Sequence, residues 1–537
     1  MRHHARVRLT VWNPLGDAEP AALVTNTMTT PNGSGFEDKL QRLRTLTEQL
    51  LEHRRLIIAS NRGPMEYSIG PDGSLAADRG SGGMVTALLS ATRFVPATWV
   101  ASAMTDGDRL AAERSDGGLH QVPGNEIYVR FVTVPQSTYQ RHYYVFCNPL
   151  LWFVQHFMWN TPRTPNIGRA VYEAWESGYV PVNEAIAEAV VREAKKQSVP
   201  PYVLLQDYHL YLAPAMIRRE VPEATILHFT HIPWPGPRYW GLLPEFMRRR
   251  IHEDMCASDI VGLQTIGDTR NFLHCCEALL DDVDIDYGRS ALNFRGRTIR
   301  VRAYPISIDA AGLRDYSRSA EVEEYKQRLK PFLREQNIVR VDRSEPSKNI
   351  IRGLRAYELL LERYPELRRG LAFLQFLVPS RSELGVYQTY TDEIFELIDS
   401  INDHFGDLEW QPIRVFYEEN YPQAIAGMSL YDVLLVNPII DGMNLVSKEG
   451  PLVNEKDGVL ILSELAGSFE QLSPHCIPIA PTDLEGTVRA LHQALTMPLD
   501  ERRRRSEALK SLIREEDITF WLERQFADLM AISRQEL

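Results

Sequence analysis

Asp342 and Arg343 close a strongly apolar run, NIVRVDR, and Lys348 follows five residues after Arg343 at the start of a helical stretch. Two cations on one strand-to-helix turn, near the positive end of a helix dipole, suit a diphosphate, although a surface salt-bridge pair would read the same way. After DVLLVNP stand Asp441, Gly442, Met443, Asn444 and Leu445, then Lys448 and Glu449. Such a turn can offer a carboxylate and backbone N–H groups to one ligand. A capping turn explains Asp441 and Gly442, but not Glu449. Asp207-Tyr208-His209 ends YVLLQD, and His231-Ile232-Pro233-Trp234-Pro235 ends TILHFT. Polar residues at the ends of buried strands face the ligand crevice of an open α/β sheet, where a neutral His can hydrogen-bond a hydroxyl. Ser60-Asn61-Arg62-Gly63-Pro64 and the later Arg79-Gly80-Ser81-Gly82-Gly83 could set backbone N–H groups and a guanidinium against a phosphate, but a Gly-rich turn is more often plain punctuation. No Walker loop, zincin helix or hydrolase elbow is present, so metal and covalent-serine chemistry lose weight.

These clusters need strands to present them. Short, β-rich apolar runs at 55–60, 202–207, 225–233, 259–265 and 298–308 alternate with longer helical patterns such as Asn183 to Lys196. A second series follows at 337–343, 371–380, 413–419, 432–438, 458–464 and 476–481, with helices expected over 349–364 and 386–405. Alternation of this kind gives parallel sheets covered by helices on both faces. The expected architecture is α/β, two doubly wound Rossmann-like domains facing a cleft: 37–320 for the first and 321–515 for the second. Residues 1–36 read as a flexible leader, with order beginning in a helix from Phe36 to Glu52. Residues 516–537 read as a C-terminal helix able to cross back to the first domain. The run ERRRR (501–505) reads as a solvated helix face.

Composition narrows the class. The 537 residues, 44% apolar and 24% charged, suit two to four ordinary globular domains. With 59 Lys and Arg against 71 Asp and Glu, the net charge of −12 argues against nucleic acid or an anionic membrane as partner. Anionic ligands must then be held by local sites. The 5 cysteines have no metal-ligand spacing and fit a reducing compartment, and no run of 18 apolar residues occurs, so a cytoplasmic protein is expected.

The order and spacing of the clusters resemble the retaining, GT-B-fold trehalose-6-phosphate synthases, from about Leu56 to the C-terminus. YYVFCNPLLW (143–152), RAYPISID (302–309), VPSR (378–381) and LILSELAGS (460–468) look like that family's equivalents. DGMNLVSKE (441–449) together with HIPWP is the specific part. The resemblance implies metal-independent transfer of glucose, with retention, from a nucleoside diphosphate glucose (UDP or GDP, with ADP also open) to glucose 6-phosphate, without a cofactor. It implies that Arg343 and Lys348 bind the donor diphosphate. Gly82, Gly83, Asp441, Gly442, Met443, Asn444 and Leu445 would line the donor site, and Glu449 would hold the ribose. His231 would meet the donor sugar's 6-hydroxyl, and Asp207 would face both reacting sugars. Arg62, Tyr143, Trp152 and Arg381 would surround the acceptor phosphate.

Several positions depart from the family pattern. The usual Asp-Arg-Leu-Asp-Tyr-x-Lys-Gly is Asp342-Arg343-Ser344-Glu345-Pro346-Ser347-Lys348-Asn349 here. Ile440 replaces an Arg, Gln206 a frequent His, and Ser102 an aromatic of the acceptor pocket. WVASAMTDGDR (99–109), EPSKN (345–349) and GPLVNEKD (450–457) look closer to pseudo-glycosyltransferases, which join a nucleotide-activated cyclitol to an aminocyclitol phosphate. That activity and a non-catalytic sugar-phosphate sensor are the rival readings. The expected partners are a nucleotide sugar and a sugar phosphate, with no nucleic acid and no membrane. A homo-oligomer is compatible with the sequence, which does not fix oligomeric state.

Overall fold

The computed structural model describes residues 35–533 apart from 80–87, 90–94, 123, 125 and 381–384. Most of the expected leader, Gly82, Gly83 and Arg381 therefore lie outside the described residues. The first helix is Gly35–Leu51. Beyond it, the buried apolar runs form two sheets, of ten and six strands.

The larger sheet has a parallel centre. Arg297–Ala303, Ile260–Leu263, Thr225–Phe229, Tyr202–Gln206, Leu56–Ser60, Ala97–Ser102 and Ile127–Val132 lie side by side in that order. Antiparallel strands finish both edges. The smaller sheet is parallel throughout: Ile413–Tyr417, Leu371–Val378, Gln336–Arg343, Val433–Val436, Val459–Ser463 and Ile477–Ile479. Central strands such as Leu56–Ser60, Tyr202–Gln206 and Val459–Ser463 are buried along their whole length, which is why their sequences run apolar instead of alternating. Each sheet carries one apolar core on either face, with Ile57, Val203 and Trp234 on one side of the larger sheet and Ile58, Trp99 and Phe229 on the other. In the smaller sheet Ile338 and Leu435 face one core, and Val339 and Leu434 the other.

The helix Ile518–Ser533 sets Trp521, Leu522, Phe526 and Leu529 into the core that contains Trp99 and Phe229. Ile518 N donates to Ile308 O (2.9 Å) and Trp521 Nε1 to Tyr304 O (3.1 Å). The end of the chain is thus stitched to the segment that leaves the larger sheet. The arginine run is solvated in part, as expected, with Arg503 and Arg504 exposed, but two of its members are engaged. Within the helix Leu499–Glu515, Arg502 reaches Asp432 (3.2 Å) and Arg505 donates to Cys476 O (2.9 Å). All 5 cysteines are buried and free.

Candidate active site between the two sheets

Two neighbouring strands of the smaller sheet, Gln336–Arg343 and Val433–Val436, end in loops that are tied together. Asn349 Nδ2 donates to Asn437 O (3.0 Å) and Pro481 O (2.7 Å), Asn437 Nδ2 returns to Asn349 O (3.2 Å), and Ile439 N donates to Ser347 O (2.8 Å). Asn349 has φ +58°, which Asn adopts more readily than most residues.

That zipper brings Lys348 Nζ to 2.5 Å from Asp441 Oδ2. The side chains are 12% and 17% exposed. Burial opposes the charge on Lys348, but Asp441 and Asp342 outweigh it and raise the ammonium pKa above its ordinary value. Burial would likewise raise Asp441, and Lys348 holds it below the usual carboxylate range instead. Both groups are therefore charged at neutral pH. Burial pushes Asp342 up to about 6 despite the neighbouring Arg340. Arg343 is half-exposed, with Nη1 3.0 Å from Glu345 Oε1. Glu345 is itself buried and accepts from Ser380 Oγ (2.7 Å), so a fixed carboxylate pairs with the more exposed cation.

The loop after Val433–Val436 is shaped by Asn444 at φ +68°. Its Oδ1 accepts from Ser447 N (3.1 Å) at the start of the helix Val446–Val453, and its Nδ2 donates to Asp441 Oδ2 (3.1 Å). Asn444 and Leu445 thus lie at a helix N-terminus, where N–H groups and the dipole favour an anion. Glu449 lies within the first turn of that helix, its carboxylate pushed up to about 7 by burial alone. Lys448, grouped with Glu449 from the sequence, turns away: its Nζ donates to Ile306 O (2.9 Å), and burial lowers it to about 7 against the pull of Glu516.

Gly442 is where the two halves meet. A Cβ there would lie 2.1 Å from His231 O, and one on Gly467 would lie 1.8 Å from Gly442 O. Met443 is buried in the core of the larger sheet beside Trp99, Phe229 and Trp521.

From the larger sheet, Asp207 and His231 face this loop. Asp207 has φ +73° and ψ 171°, a region normally reserved for glycine that costs about 1–3 kcal/mol. It is held there by Asp207 N donating to Phe229 O (2.7 Å) and by its Oδ1 accepting from His231 N (3.1 Å). The His231 ring lies 2.9 Å from Gln206 Oε1 through Nε2, and burial pushes its pKa down to about 3, so it is neutral.

Tyr143 and Trp152 come from Arg141–Leu151, a π-helix containing Pro149, and its α-helical continuation Trp152–Gln155. Tyr143 stacks between Tyr139 (5.7 Å, 11°) and His209 (6.0 Å, 12°). Arg62 acts electrostatically on Tyr139 from the neighbouring loop, and its Nε lies 3.4 Å from Glu66. Arg62, Tyr143 and Asp207 thus share the larger-sheet side of the gap, with Trp152 deeper in the wall.

The sequence reading missed His156. It stacks on Trp152 (3.9 Å, 22°), its Nδ1 lies 2.8 Å from Trp152 O, and it feels Asp441, Glu345 and Lys348 across the gap. The signal was present, because residues four apart share a helix face and Trp152 had been singled out. Among the described residues, no group of His, Cys, Asp and Glu is arranged to hold a metal ion.

Comparison with known proteins gives one family. Residues 54–531 match the model for "Glycosyltransferase family 20". The chain is 33% identical over 488 residues to a bifunctional trehalose-6-phosphate synthase/phosphatase of Thermoproteus tenax, covering 87% of this chain and 62% of that relative. It therefore spans less than two thirds of that relative's length. Among solved structures it resembles "Trehalose-6-phosphate synthase. OtsA" (27% identity, TM-score 0.76, 89% of this chain and 99% of that one) and "Trehalose-6-phosphate from E. coli bound with UDP-2-fluoro glucose" (27%, TM-score 0.75, 88% and 98%). It also resembles a UDP-forming alpha,alpha-trehalose-phosphate synthase from Burkholderia xenovorans in complex with glucose-6-phosphate (26%, TM-score 0.75, 89% and 100%).

Proposed function

Because this chain belongs to glycosyltransferase family 20, we propose that it transfers glucose from UDP-glucose to glucose 6-phosphate with retention, forming alpha,alpha-trehalose 6-phosphate. The observation that carries the reading is the charged Lys348–Asp441 pair at two adjacent strand ends, opposite Asp207 and His231. Cleaving the bond from the sugar's C1 to the diphosphate moves negative charge onto the leaving group, so cations fixed beside it contribute most at the transition state. Arg343 and Lys348 supply that charge, aided by the helix N-terminus at Asn444 and Leu445 and by Gly82 and Gly83. This gives the reaction no need of a metal. Asp441 takes the donor sugar's hydroxyls and His231 its 6-hydroxyl, while Asp207 faces both sugars. Arg62, Tyr143, Trp152 and Arg381 receive the acceptor phosphate. With the acceptor hydroxyl on the leaving group's face, its proton passes to the departing phosphate oxygen as the new C1–O bond forms, and no enzymic nucleophile is required.

In this reading residues 37–320 carry the acceptor, residues 321–515 carry the nucleotide sugar, and the C-terminal helix braces the pair. The reaction runs in the cytoplasm without nucleic acid or membrane partners. Five buried thiols fit a reducing compartment, and among the described residues no helix is long and apolar enough to cross a membrane.

The purified protein incubated with UDP-glucose and glucose 6-phosphate is expected to yield a phosphorylated disaccharide by mass, at a rate unchanged by EDTA. Free glucose is expected to be a far poorer acceptor. If glucose served as well as its 6-phosphate, the acceptor assignment would be wrong; release of free glucose or no turnover at all would remove the activity itself.

Glu449 adds a pH dependence. As the ribose contact it binds better ionised, so UDP affinity is expected to strengthen severalfold between pH 6 and 8, as a group titrating near 7 requires. Its folded pKa lies above the unfolded value of about 4.3. Its contribution to stability is therefore full below that value and lost as pH rises through about 7. Glu449→Gln should flatten the pH dependence of UDP binding in titration calorimetry, and an unchanged profile would exclude Glu449 as the ribose ligand.

A further inference from the structure

We propose that Gln206 is a positioning residue that decides which ring nitrogen of His231 carries the proton, so that His231 offers an Nδ1 lone pair to a sugar hydroxyl. This deepens, and rests on, the reading of His231 as a donor-sugar residue. Gln206 ends the strand Tyr202–Gln206 and is fully buried. Its Oε1 lies 2.9 Å from His231 Nε2, while its own amide nitrogen has no partner among the described residues. The contact with His231 is thus the one polar interaction that this side chain makes there. A buried amide satisfied at one end only is unfavourable for folding compared with an apolar residue, which points to a use for the end that is satisfied.

The ring has little freedom to respond by moving. His231 N donates to Asp207 Oδ1 (3.1 Å), and His231 O accepts from Gln264 Nε2 (3.2 Å). The ring lies edge-on to Phe229 (4.6 Å, 79°) and is flanked by Trp521 of the C-terminal helix (6.5 Å, 43°). With Gln206 Oε1 turned toward the ring, as it is here, a neutral imidazole has one N–H to give and the facing oxygen can only accept, which places the proton on Nε2. Nδ1 is then a bare acceptor, and it makes no hydrogen bond with the described residues. A hydroxyl donating to Nδ1 completes the chain hydroxyl to His231 to Gln206, and each bond polarises the next. An amide does not titrate, so this chain fixes one tautomer across the working pH range.

The test is 15N NMR of histidine-labelled protein, with His231→Asn used only to assign the resonances, alongside steady-state kinetics of Gln206→Leu and Gln206→Glu. Wild type should show a protonated Nε2 and a bare Nδ1 at His231. Gln206→Leu keeps the volume but removes the acceptor. It should redistribute the proton toward Nδ1 and lower kcat about tenfold, the worth of one hydrogen bond, with KM for glucose 6-phosphate unchanged. Gln206→Glu retains an acceptor and should keep the Nε2 proton and exceed Gln206→Leu in rate. A protonated Nδ1 in the wild type overturns the proposal, as does Gln206→Leu with wild-type tautomer and kcat. Wild-type protein with the expected tautomer but no glucosyl transfer overturns the functional reading alone.

Discussion

Lys348→Ala is expected to lower turnover at least about a hundredfold, the usual effect of removing one preorganised charge donor from a transition state. The loss should fall on kcat more than on KM for the acceptor, because in the proposed reaction the charge that Lys348 meets develops as the diphosphate departs. One other cause must be separated from this. Lys348 partners Asp441 at 2.5 Å, and truncation leaves a largely buried carboxylate without its cation. Pairing it with Asp441→Asn removes that stranded charge. If Lys348 acts on the diphosphate, the double variant regains stability but turns over at least about a hundredfold more slowly than Asp441→Asn alone; a rate equal to that of Asp441→Asn would assign the whole effect to the ion pair. Circular dichroism of both variants checks the fold, and near wild-type turnover in Lys348→Ala would refute the role.

Gly442→Ala should be comparably damaging for a steric reason. The added methyl would sit 2.1 Å from His231 O, so the loop or the strand end must move by about 1 Å, and neither is loose. Gly442 O is itself pressed against Gly467, and Met443 is buried in the opposite core. A displacement of that size between a donor site and its acceptor costs on the order of a hundredfold. The expectation is a fall in kcat/KM of that order with native far-UV circular dichroism. Wild-type kinetics would mean that the contact between the halves opens during turnover and does not set the reacting geometry.

Much of this architecture could be read from residue order. Runs such as YVLLQD and GVLILSE are apolar throughout because both faces of their strands are covered, and their polar ends mark the gap between the sheets. The pairing of Lys348 with Asp441, 93 residues apart, could not be read, because it depends on which strands lie side by side. Other features escaped because no local period encodes them. The π-helix of Arg141–Leu151 leaves no three-to-four pattern to follow. The strands Ala97–Ser102 and Ile127–Val132 were passed over as separate elements, and so was the hairpin Met65–Arg79 with its Pro71-Asp72-Gly73 turn, a sequence with a recognised hairpin signature. Lys448 shows the opposite failure. Adjacent in sequence to Glu449, it lies on another face of the helix and ties the loop to Ile306.

The ionic pair at the ends of Gln336–Arg343 and Val433–Val436 is the centre of this account, and a crystal structure with UDP and glucose 6-phosphate bound tests it most directly. The account predicts Lys348 Nζ and the Arg343 guanidinium within about 3 Å of diphosphate oxygens, with the acceptor phosphate on the Arg62 and Tyr143 side. A diphosphate seated elsewhere, with both cations still engaged only by Asp441 and Glu345, would contradict it.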